Sequence, residues 1–276
     1  MKAKWFIEDT NFDDEDIKLV NEVKAQGYEV EVMKSFPYNS KEITAFEDGD
    51  CVVAQCSINM ADKIMNTRKW VPGVWYNKKA YECQSYYPYF KEYLFNEPCK
   101  FTTVADVNKN RETYFREFGI GQHIFVRPND GVKSFTGTVI PLHEFDYKWV
   151  WIDQYAKQDD IVLVSSAKTV KAEWRFIAAE GTIISGSRYT ANGDHERVNK
   201  YPLEAYDLAM TIAESGYDPD PMWSIDICEG IDNKYYLLEI GNFNCCGLYA
   251  NDLAIIVDTA SKIAEAQWIK AMEDAQ

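Results

Sequence analysis

The chain has 276 residues, of which 46% are hydrophobic and 26% charged, a composition typical of a folded globular protein. Its 44 Asp and Glu against 29 Lys and Arg give a formal charge of −15, which argues against a nucleic-acid partner but allows a basic pocket inside an acidic shell. The seven cysteines have no regular spacing, and neither a leader nor an apolar run of ~20 residues is seen. We therefore expect a soluble, cytoplasmic, reduced protein without a membrane partner.

The first third of the chain predicts a small α/β domain with a parallel sheet, placed at residues 1–96. Strand patterns fall at residues 4–7, 28–33, 51–54 and 74–76, and helical patterns follow the acidic cluster 13–16 and cover 59–68. The acidic cluster is interpreted as a helix start, with a metal site as the alternative. The aromatic block 81–93 is interpreted as a packed helix, with a ligand wall as the alternative.

A strand, a glycine-containing loop and a second strand follow the helix predicted over 103–118. The first strand ends at Arg127, and the loop that follows carries Lys133. Backbone N–H groups of such a loop can surround phosphate oxygens, with Arg127 and Lys133 supplying positive charge. An ordinary solvated hairpin is the alternative, because the P-loop spacing is absent.

The next segment contains a buried-strand pattern at 160–166 and a hairpin that turns at residues 180–181. Glu173 and Arg175 are two residues apart on the first strand of this hairpin, so they share a face. Their burial there implies a ligand or partner, whereas an exposed cross-strand ion pair is the alternative. Residues 193–200 are predicted to form a polar loop at the edge of a site.

Residues 223–244 predict two short strands around a turn, with Asp226 on one strand and Glu239 on the other. Antiparallel strands that direct two carboxylates to one point make a hard oxygen site of the kind that suits Mg²⁺ between nucleotide phosphates. Asn242 and Asn244 lie just beyond. A last helix is predicted over 252–274.

In order and spacing these features resemble the ATP-grasp superfamily, in which two α+β subdomains hold ATP between a phosphate loop and a metal-binding sheet. Phe125-Val126-Arg127-Pro128 and the loop through Ser134 and Gly137 resemble the strand and loop that contact the phosphates. Val164 and Ser165 resemble the hinge that binds adenine. The segment 173–176 resembles the Glu-x-Arg strand that follows, which places Glu173 among the ATP-binding residues and Arg175 among the catalytic ones.

The resemblance also assigns Arg188 to the terminal phosphate, and Asp226 and Glu239 to the metal. Glu-x-Asn would place the third ligand at Gly241, so Asn242 is the first choice here and Asn244 the second. Arginine in place of the usual lysine at 127 is similar to the ATP-grasp clade named for two arginines and one lysine, whose members are inferred amide ligases of bacteria and phages.

The resemblance implies an ATP-grasp fold divided at 97–165 and 166–276, with a phosphate loop at 127–137 that closes over ATP. It implies an ADP-forming ligase that joins a small-molecule or peptide carboxylate to an amine through an acyl phosphate, with Arg175, Arg188 and Lys133 catalytic. ATP and Mg²⁺, or Mn²⁺, are the expected cofactors. The alternatives are an ATP-binding module without catalysis, a small-molecule kinase and a structural role.

Overall fold

Three β-sheets organise the protein in a computed structural model that describes residues 1–9, 14–34, 42–132 and 134–275. Two four-stranded sheets and one five-stranded sheet follow one another along the chain. Within these described ranges, no helix is both long and apolar enough to cross a membrane.

The N-terminal sheet has the strand order β2-β1-β3-β4, and all of its pairs are parallel. Its elements are β1 (Lys4–Asp9), α1 (Asp14–Ala25), β2 (Glu29–Lys34), β3 (Cys51–Gln55), α2 (Ile58–Thr67) and β4 (Val71–Gly73). The predicted α/β domain with a parallel sheet is thus confirmed. The prediction of a strand at 74–76 is wrong, because side chains and not a neighbouring strand bind the Trp75 backbone. The Trp75 N–H donates to Asn244 Oδ1 at 2.7 Å, and the Trp75 carbonyl accepts from Asn242 Nδ2.

Helix α3 (Cys83–Phe90) occupies the aromatic block, and its Tyr86, Tyr87 and Phe90 side chains are buried. These rings pack in one cluster with residues from the neighbouring sheets, such as Leu163 and Leu237. The packed-helix interpretation of this block is therefore confirmed.

The second sheet is antiparallel, with the order β5-β8-β6-β7. Its elements are β5 (Cys99–Thr103), α4 (Val104–Lys109), α5 (Arg111–Phe118), β6 (His123–Pro128), β7 (Thr138–Pro141), α6 (Phe145–Tyr155) and β8 (Ile161–Ser166). The single helix predicted over 103–118 is divided in two at Asn110, whose φ of −112° and ψ of 26° are not helical. Strands β6 and β7 confirm the predicted pair around the loop.

The third sheet has the order β11-β10-β9-β12-β13 and is antiparallel throughout. Its elements are β9 (Val170–Ala179), β10 (Thr182–Ala191), β11 (Asp194–Val198), α7 (Leu203–Ala213), β12 (Met222–Gly230), β13 (Tyr235–Asn242) and α8 (Leu253–Asp274). Glu180 and Gly181 make the predicted turn, both with positive φ. The polar loop predicted at 193–200 is wrong over most of its length, because β11 pairs with β10 there.

The two faces of this sheet have different neighbours, because successive residues of a strand point to opposite sides. Trp174 and Phe176 pack on the side of α7, in one cluster with Ile212. Ile177 and Phe243 pack on the other side, with α8 and with Trp5 of the N-terminal sheet. The residues that alternate with these apolar positions along the strands include those predicted to bind metal and phosphate.

Candidate active site

Three charged residues form a row across the third sheet. Arg175 on β9 is the register partner of Asp226 on β12, and Asp226 is in turn the partner of Glu239 on β13. Side chains at such paired positions share a face and lie about 5 Å apart at Cβ. A bulge leaves Leu238 without a partner between Leu237 and Glu239, a local irregularity that is frequent beside active sites. The sheet therefore brings together the two acids and one of the arginines that the sequence singled out.

Arg175 and Asp226 form a buried bidentate ion pair. Nε donates to Asp226 Oδ1 at 2.8 Å and Nη2 to Oδ2 at 2.6 Å, while Nη1 donates to the Gly247 carbonyl at 3.1 Å. Burial lowers the pKa of Arg175. The charge of Asp226, its hydrogen bonds to the guanidinium and smaller contributions from neighbours raise this pKa by more, so the pKa lies above its usual value. Both side chains are nearly excluded from solvent, so the partner of Arg175 is Asp226 and the exposed-pair alternative is excluded.

Arg127 and Glu239 form a second ion pair, which joins two sheets. Arg127 lies at the end of β6, and its Nη2 donates to Glu239 Oε2 on β13 at 3.0 Å. Its Nη1 lies 3.4 Å from the carbonyl oxygen of the bulged Leu238. The arginine predicted to contact phosphates is therefore positioned directly over a predicted metal ligand.

Two tyrosine rings contact the Arg175 guanidinium. The rings of Tyr189 and Tyr249 stack with 4.8 Å between centroids, and the guanidinium carbon lies 5.6 and 5.0 Å from them. Burial, followed by the charges of Asp226 and Glu173, raises the pKa of Tyr189, so its hydroxyl keeps its proton. That hydroxyl donates to Glu173 Oε2 at 2.7 Å and lies 3.3 Å from Asp226 Oδ2.

The loop between β6 and β7 contacts the N-terminal part of the chain. The Asn129 carbonyl accepts from the Cys83 N–H at 2.8 Å, and Asn129 Oδ1 accepts from the Gln84 N–H at 2.8 Å. A Cβ at Gly131 would lie only 2.7 Å from Tyr81 Cβ, so the loop backbone approaches this ring as only glycine allows.

The loop residues that were predicted to contact phosphate have different neighbours in the structure. The Ser134 hydroxyl and N–H bond to the Asp130 carboxylate at 3.2 and 3.4 Å. Gly137 packs against the Phe125 ring and the Arg127 side chain, where a Cβ would lie 2.7 Å from the ring. The predicted phosphate contact of Lys133 falls outside the described residues.

The structure distinguishes the two candidate asparagines. Both atoms of the Asn244 amide bind backbone, because Oδ1 accepts from Trp75 and Nδ2 donates to the Ala54 carbonyl. Asn242 donates to the Trp75 carbonyl, whereas its buried Oδ1 accepts no hydrogen bond from any described residue. A buried oxygen without a donor is suited to a cation, which favours Asn242 as the third ligand.

Arg127, Arg175, Glu239 and Asn242 border one cleft of about 240 Å³ between the sheets, whereas Asp226, paired with Arg175, is not among its lining residues. Arg127, Asp130 and Gly131 line it from the second sheet, and Tyr76 and Tyr81 from the N-terminal segment. The third sheet and the residues that follow it contribute the remaining polar lining, which comprises Arg175, Ser224, Glu239, Gly241, Asn242, Cys245, Cys246, Gly247 and Tyr249.

The structure does not bring Arg188 to this cleft. Arg188 is the register partner of Trp174, whereas Arg175 is the partner of Ser187, so the two arginines lie on opposite faces. Its Nη2 donates to Glu196 Oε1 on the edge strand β11 at 2.8 Å. Arg188 is therefore outside the lining of this cleft, and its assignment to the terminal phosphate stays a prediction.

The residues of the predicted hinge lie within a strand. Val164 and Ser165 are fully buried in β8, which pairs with β5 on one side and β6 on the other. Their backbone groups are therefore used by the sheet, and their contact with adenine stays a prediction. Glu173 accepts hydrogen bonds from Tyr189 and from Thr190 Oγ1, the latter at 3.0 Å.

Several lining residues were missed at the sequence level. Asp130, Tyr81 and Tyr249 border the cleft, and Tyr249 has a positive φ of 50° that is rare for a tyrosine. Tyr81 also donates to Asp220 Oδ2 at 2.8 Å, 139 residues away in the chain. The aromatic block offered a signal for Tyr81, but no spacing rule connects it to Asp220.

The donor set suits a hard divalent cation. Across the described parts of the chain, no three His, Cys, Asp or Glu side chains are grouped as a metal site. A cation in the cleft would meet Glu239 and the Asn242 amide oxygen in the lining, and would bind Asp226 only where Arg175 gives up its ion pair with that carboxylate. These oxygen donors fit Mg²⁺ or Mn²⁺ and not a soft metal.

Comparison with known families identifies the fold. The family described as "ATP-grasp domain, R2K clade family 2" matches residues 100–258, more than half of the chain. The chain belongs to this family. The match confirms the predicted superfamily, clade and fold. No curated protein matches the chain.

Solved structures with the same architecture extend over the N-terminal domain as well. The D-cycloserine synthetase DcsG superposes with a TM-score of 0.66 at 13% identity, covering 95% of this chain and 99% of that one. The D-alanyl-alanine synthetase A of Vibrio cholerae O1 biovar eltor gives 0.61 at 11% identity, covering 98% and 99%. The ATP-grasp ligase PsnB, complexed with a minimal precursor, Mg and ADP, gives 0.55 at 14% identity, covering 96% and 98%. At these identities the likeness shows the fold alone.

Proposed function

We propose that this protein is an ADP-forming ligase that joins a carboxylate to an amine. The observation that carries the proposal is the charged row Arg175, Asp226 and Glu239, which Arg127 contacts from the opposing sheet. Two arginines and Glu239 in the lining of one cleft, with Asp226 paired to Arg175, are the kinds of group that phosphoryl transfer from a nucleotide uses.

The cleft residues support a division of roles. Asp226, Glu239 and Asn242 would hold Mg²⁺, which when bound supplies charge neutralisation between nucleotide phosphates. Arg127 and Arg175 would stabilise negative charge on the transferred phosphoryl group and on the later tetrahedral oxyanion. Such electrostatic contacts typically contribute a few kcal/mol each, about 3 kcal/mol for one donor.

The proposed reaction has two steps. A substrate carboxylate oxygen attacks the terminal phosphorus of ATP and displaces ADP, which forms an acyl phosphate. An amine then attacks the acyl carbon, loses a proton and displaces inorganic phosphate, which leaves an amide. The loop that contacts Tyr81 would exclude water from the acyl phosphate, since hydrolysis competes with the amine.

The substitution Glu239→Gln tests this proposal, because it removes the carboxylate charge and keeps the shape. We expect ADP formation with Mg²⁺ and a pool of amino acids to be lost, while the melting curve stays cooperative. The matched control is Glu229→Gln on β12, where Glu229 pairs with Lys171 at 3.3 Å. Undiminished ADP release by the Glu239 variant would refute the metal assignment. A stable phosphorylated product made without an amine would indicate a kinase.

A further inference from the structure

Both acids proposed as metal ligands have an arginine as a direct partner. Asp226 accepts two hydrogen bonds from Arg175, and Glu239 accepts one from Arg127. The side chains of all four residues are less than one-fifth exposed, so solvent screens these pairs little. The two ion pairs therefore balance each other in charge, with Arg127, Arg175 and Glu239 in the cleft lining and Asp226 held by Arg175.

This balance opposes the binding of either charged partner alone. A divalent cation at Asp226 and Glu239 would have to share carboxylate oxygens with two guanidinium groups, which repel it. Nucleotide phosphates at Arg127 and Arg175 would meet Asp226, Glu239 and the cleft-lining Asp130. Like charges at such distances in a partly buried site are strongly unfavourable.

The two partners together remove both penalties. When a nucleotide phosphate binds one of the two arginines, the carboxylate that was paired with that arginine is left without a cation, and Mg²⁺ can bind it instead. When Mg²⁺ binds a carboxylate, the arginine that was paired with it is free to bind a phosphate. Each exchange preserves the number of opposite-charge contacts, so the cost of breaking the ion pairs is offset only when both partners bind.

We propose that Arg127 and Arg175 are specificity-determining residues that make the cleft select the metal–nucleotide complex over free metal and over free nucleotide. The inference rests on the proposed function, since it uses the same metal and phosphate assignments. It adds that the arginines act on metal affinity as well as on phosphate affinity, and with opposite sign.

The opposite sign makes the proposal testable by one substitution. Arg127→Gln removes a cation from Glu239 and also from the phosphate site. We expect it to raise the affinity for metal alone by about tenfold and to lower the affinity for the metal–ADP complex by about tenfold. A residue with a merely structural role would lower both affinities together.

Mn²⁺ is the probe, because the signal of the free ion in electron paramagnetic resonance reports bound metal without any turnover. The wild type, Arg127→Gln and the control Arg111→Gln are titrated with Mn²⁺ alone and with Mn²⁺ and ADP. Arg111 pairs with Asp146 on the exposed side of α5 and α6, so its substitution removes the same charge far from the cleft. If Arg127→Gln does not fold, Arg127→Lys replaces it, and a smaller rise for metal alone is expected.

The wild type and the Arg111 variant should bind Mn²⁺ tightly only with ADP, whereas the Arg127 variant should gain binding of metal alone. Equal Mn²⁺ affinity with and without ADP in the wild type would overturn the proposed selection and leave the proposed function standing. An Arg127 variant that is weaker in both titrations would also overturn it. Failure of the wild type to bind Mn²⁺ even with ADP would overturn both proposals.

Discussion

Tyr81 donates its hydroxyl proton to Asp220 Oδ2 at 2.8 Å and thereby joins the segment before α3 to the segment before β12. The Asn77 N–H binds the same oxygen at 3.2 Å. Burial raises the pKa of Asp220 to about 6, and these two hydrogen bonds only partly oppose that shift. The loop between β6 and β7 approaches Cβ and the backbone of Tyr81 at Gly131, so the Tyr81–Asp220 pair supports one wall of the cleft.

Asp220 predicts a pH dependence of stability. Its folded pKa is about 6, above the model-compound value of 3.8, so between these values the folded chain keeps a proton that the unfolded chain has lost. The contribution of Asp220 to the free energy of unfolding therefore falls as the pH rises from about 4 to about 6.

Asp220→Asn should remove this fall and raise the free energy of unfolding at pH 7 by about 1–2 kcal/mol, with allowance for partial solvent screening. Asparagine keeps an oxygen for Tyr81. Urea unfolding of both proteins at several pH values measures the difference. Asp258→Asn on the surface of α8 is the control, and an equal pH slope in the Asp220 variant and the wild type would contradict the prediction.

Gly131→Ala should impair the loop. The new Cβ would lie 2.7 Å from Tyr81 Cβ, so the loop must move away from the N-terminal segment. We expect the KM for ATP to rise and turnover to fall by about tenfold, because a misplaced phosphate contact acts on positioning. Thr136→Ala, an exposed position in the same loop, should change neither, and a wild-type KM in the Gly131 variant would show that the contact is dispensable.

The two asparagines predict opposite patterns. Asn244→Ala leaves the Trp75 N–H and the Ala54 carbonyl without a partner in the interior, which should cost about 1–3 kcal/mol per group in the free energy of unfolding. Asn242→Ala also loses a bond to Trp75, but its larger effect should be on metal-dependent ADP formation. Chemical denaturation and the Mg²⁺ dependence of the rate separate them. A normal Mg²⁺ dependence in the Asn242 variant would remove this residue from the metal site.

Arg188→Ala tests whether Arg188 acts at the cleft. Because Arg188 lies on the face opposite Arg175 and pairs with Glu196, we expect the variant to retain turnover within a few fold. Arg175→Ala should abolish turnover, since it leaves Asp226 buried without its cation. Steady-state rates at saturating ATP make the comparison. A large loss of kcat in the Arg188 variant with unchanged ATP affinity would support the assignment of Arg188 to the terminal phosphate.

Local patterns predicted most elements and several site residues. The acids on β12 and β13 could be recognised because both strands are short, apolar and adjacent in sequence, so that one turn fixes their register. Arg127 could be recognised because it ends an apolar strand before a glycine-containing loop. In each case the information lies within a few residues of the group concerned.

The sequence was less informative where distant parts of the chain decide the outcome. Trp75 and Tyr76 carry a strand pattern, but side chains of Asn242 and Asn244 bind the Trp75 backbone and replace a neighbouring strand. Arg188 was placed by order along the chain, whereas a bulge at Ile184 and the pairing of Arg188 with Trp174 decide which face it occupies. Residues 194–198 look polar because β11 is an exposed edge strand, which needs few apolar residues.

The asparagine contacts also limit how the molecule can be divided. The Asn242 carboxamide at the metal corner is held by the backbone of Trp75, and the neighbouring Asn244 is held by Trp75 and Ala54. The segment that matches the family, residues 100–258, therefore does not contain the backbone groups that hold the Asn242 and Asn244 side chains. An isolated segment 100–258 would lack these partners. The two asparagines thus depend on a part of the chain that lies outside the range of sequence similarity.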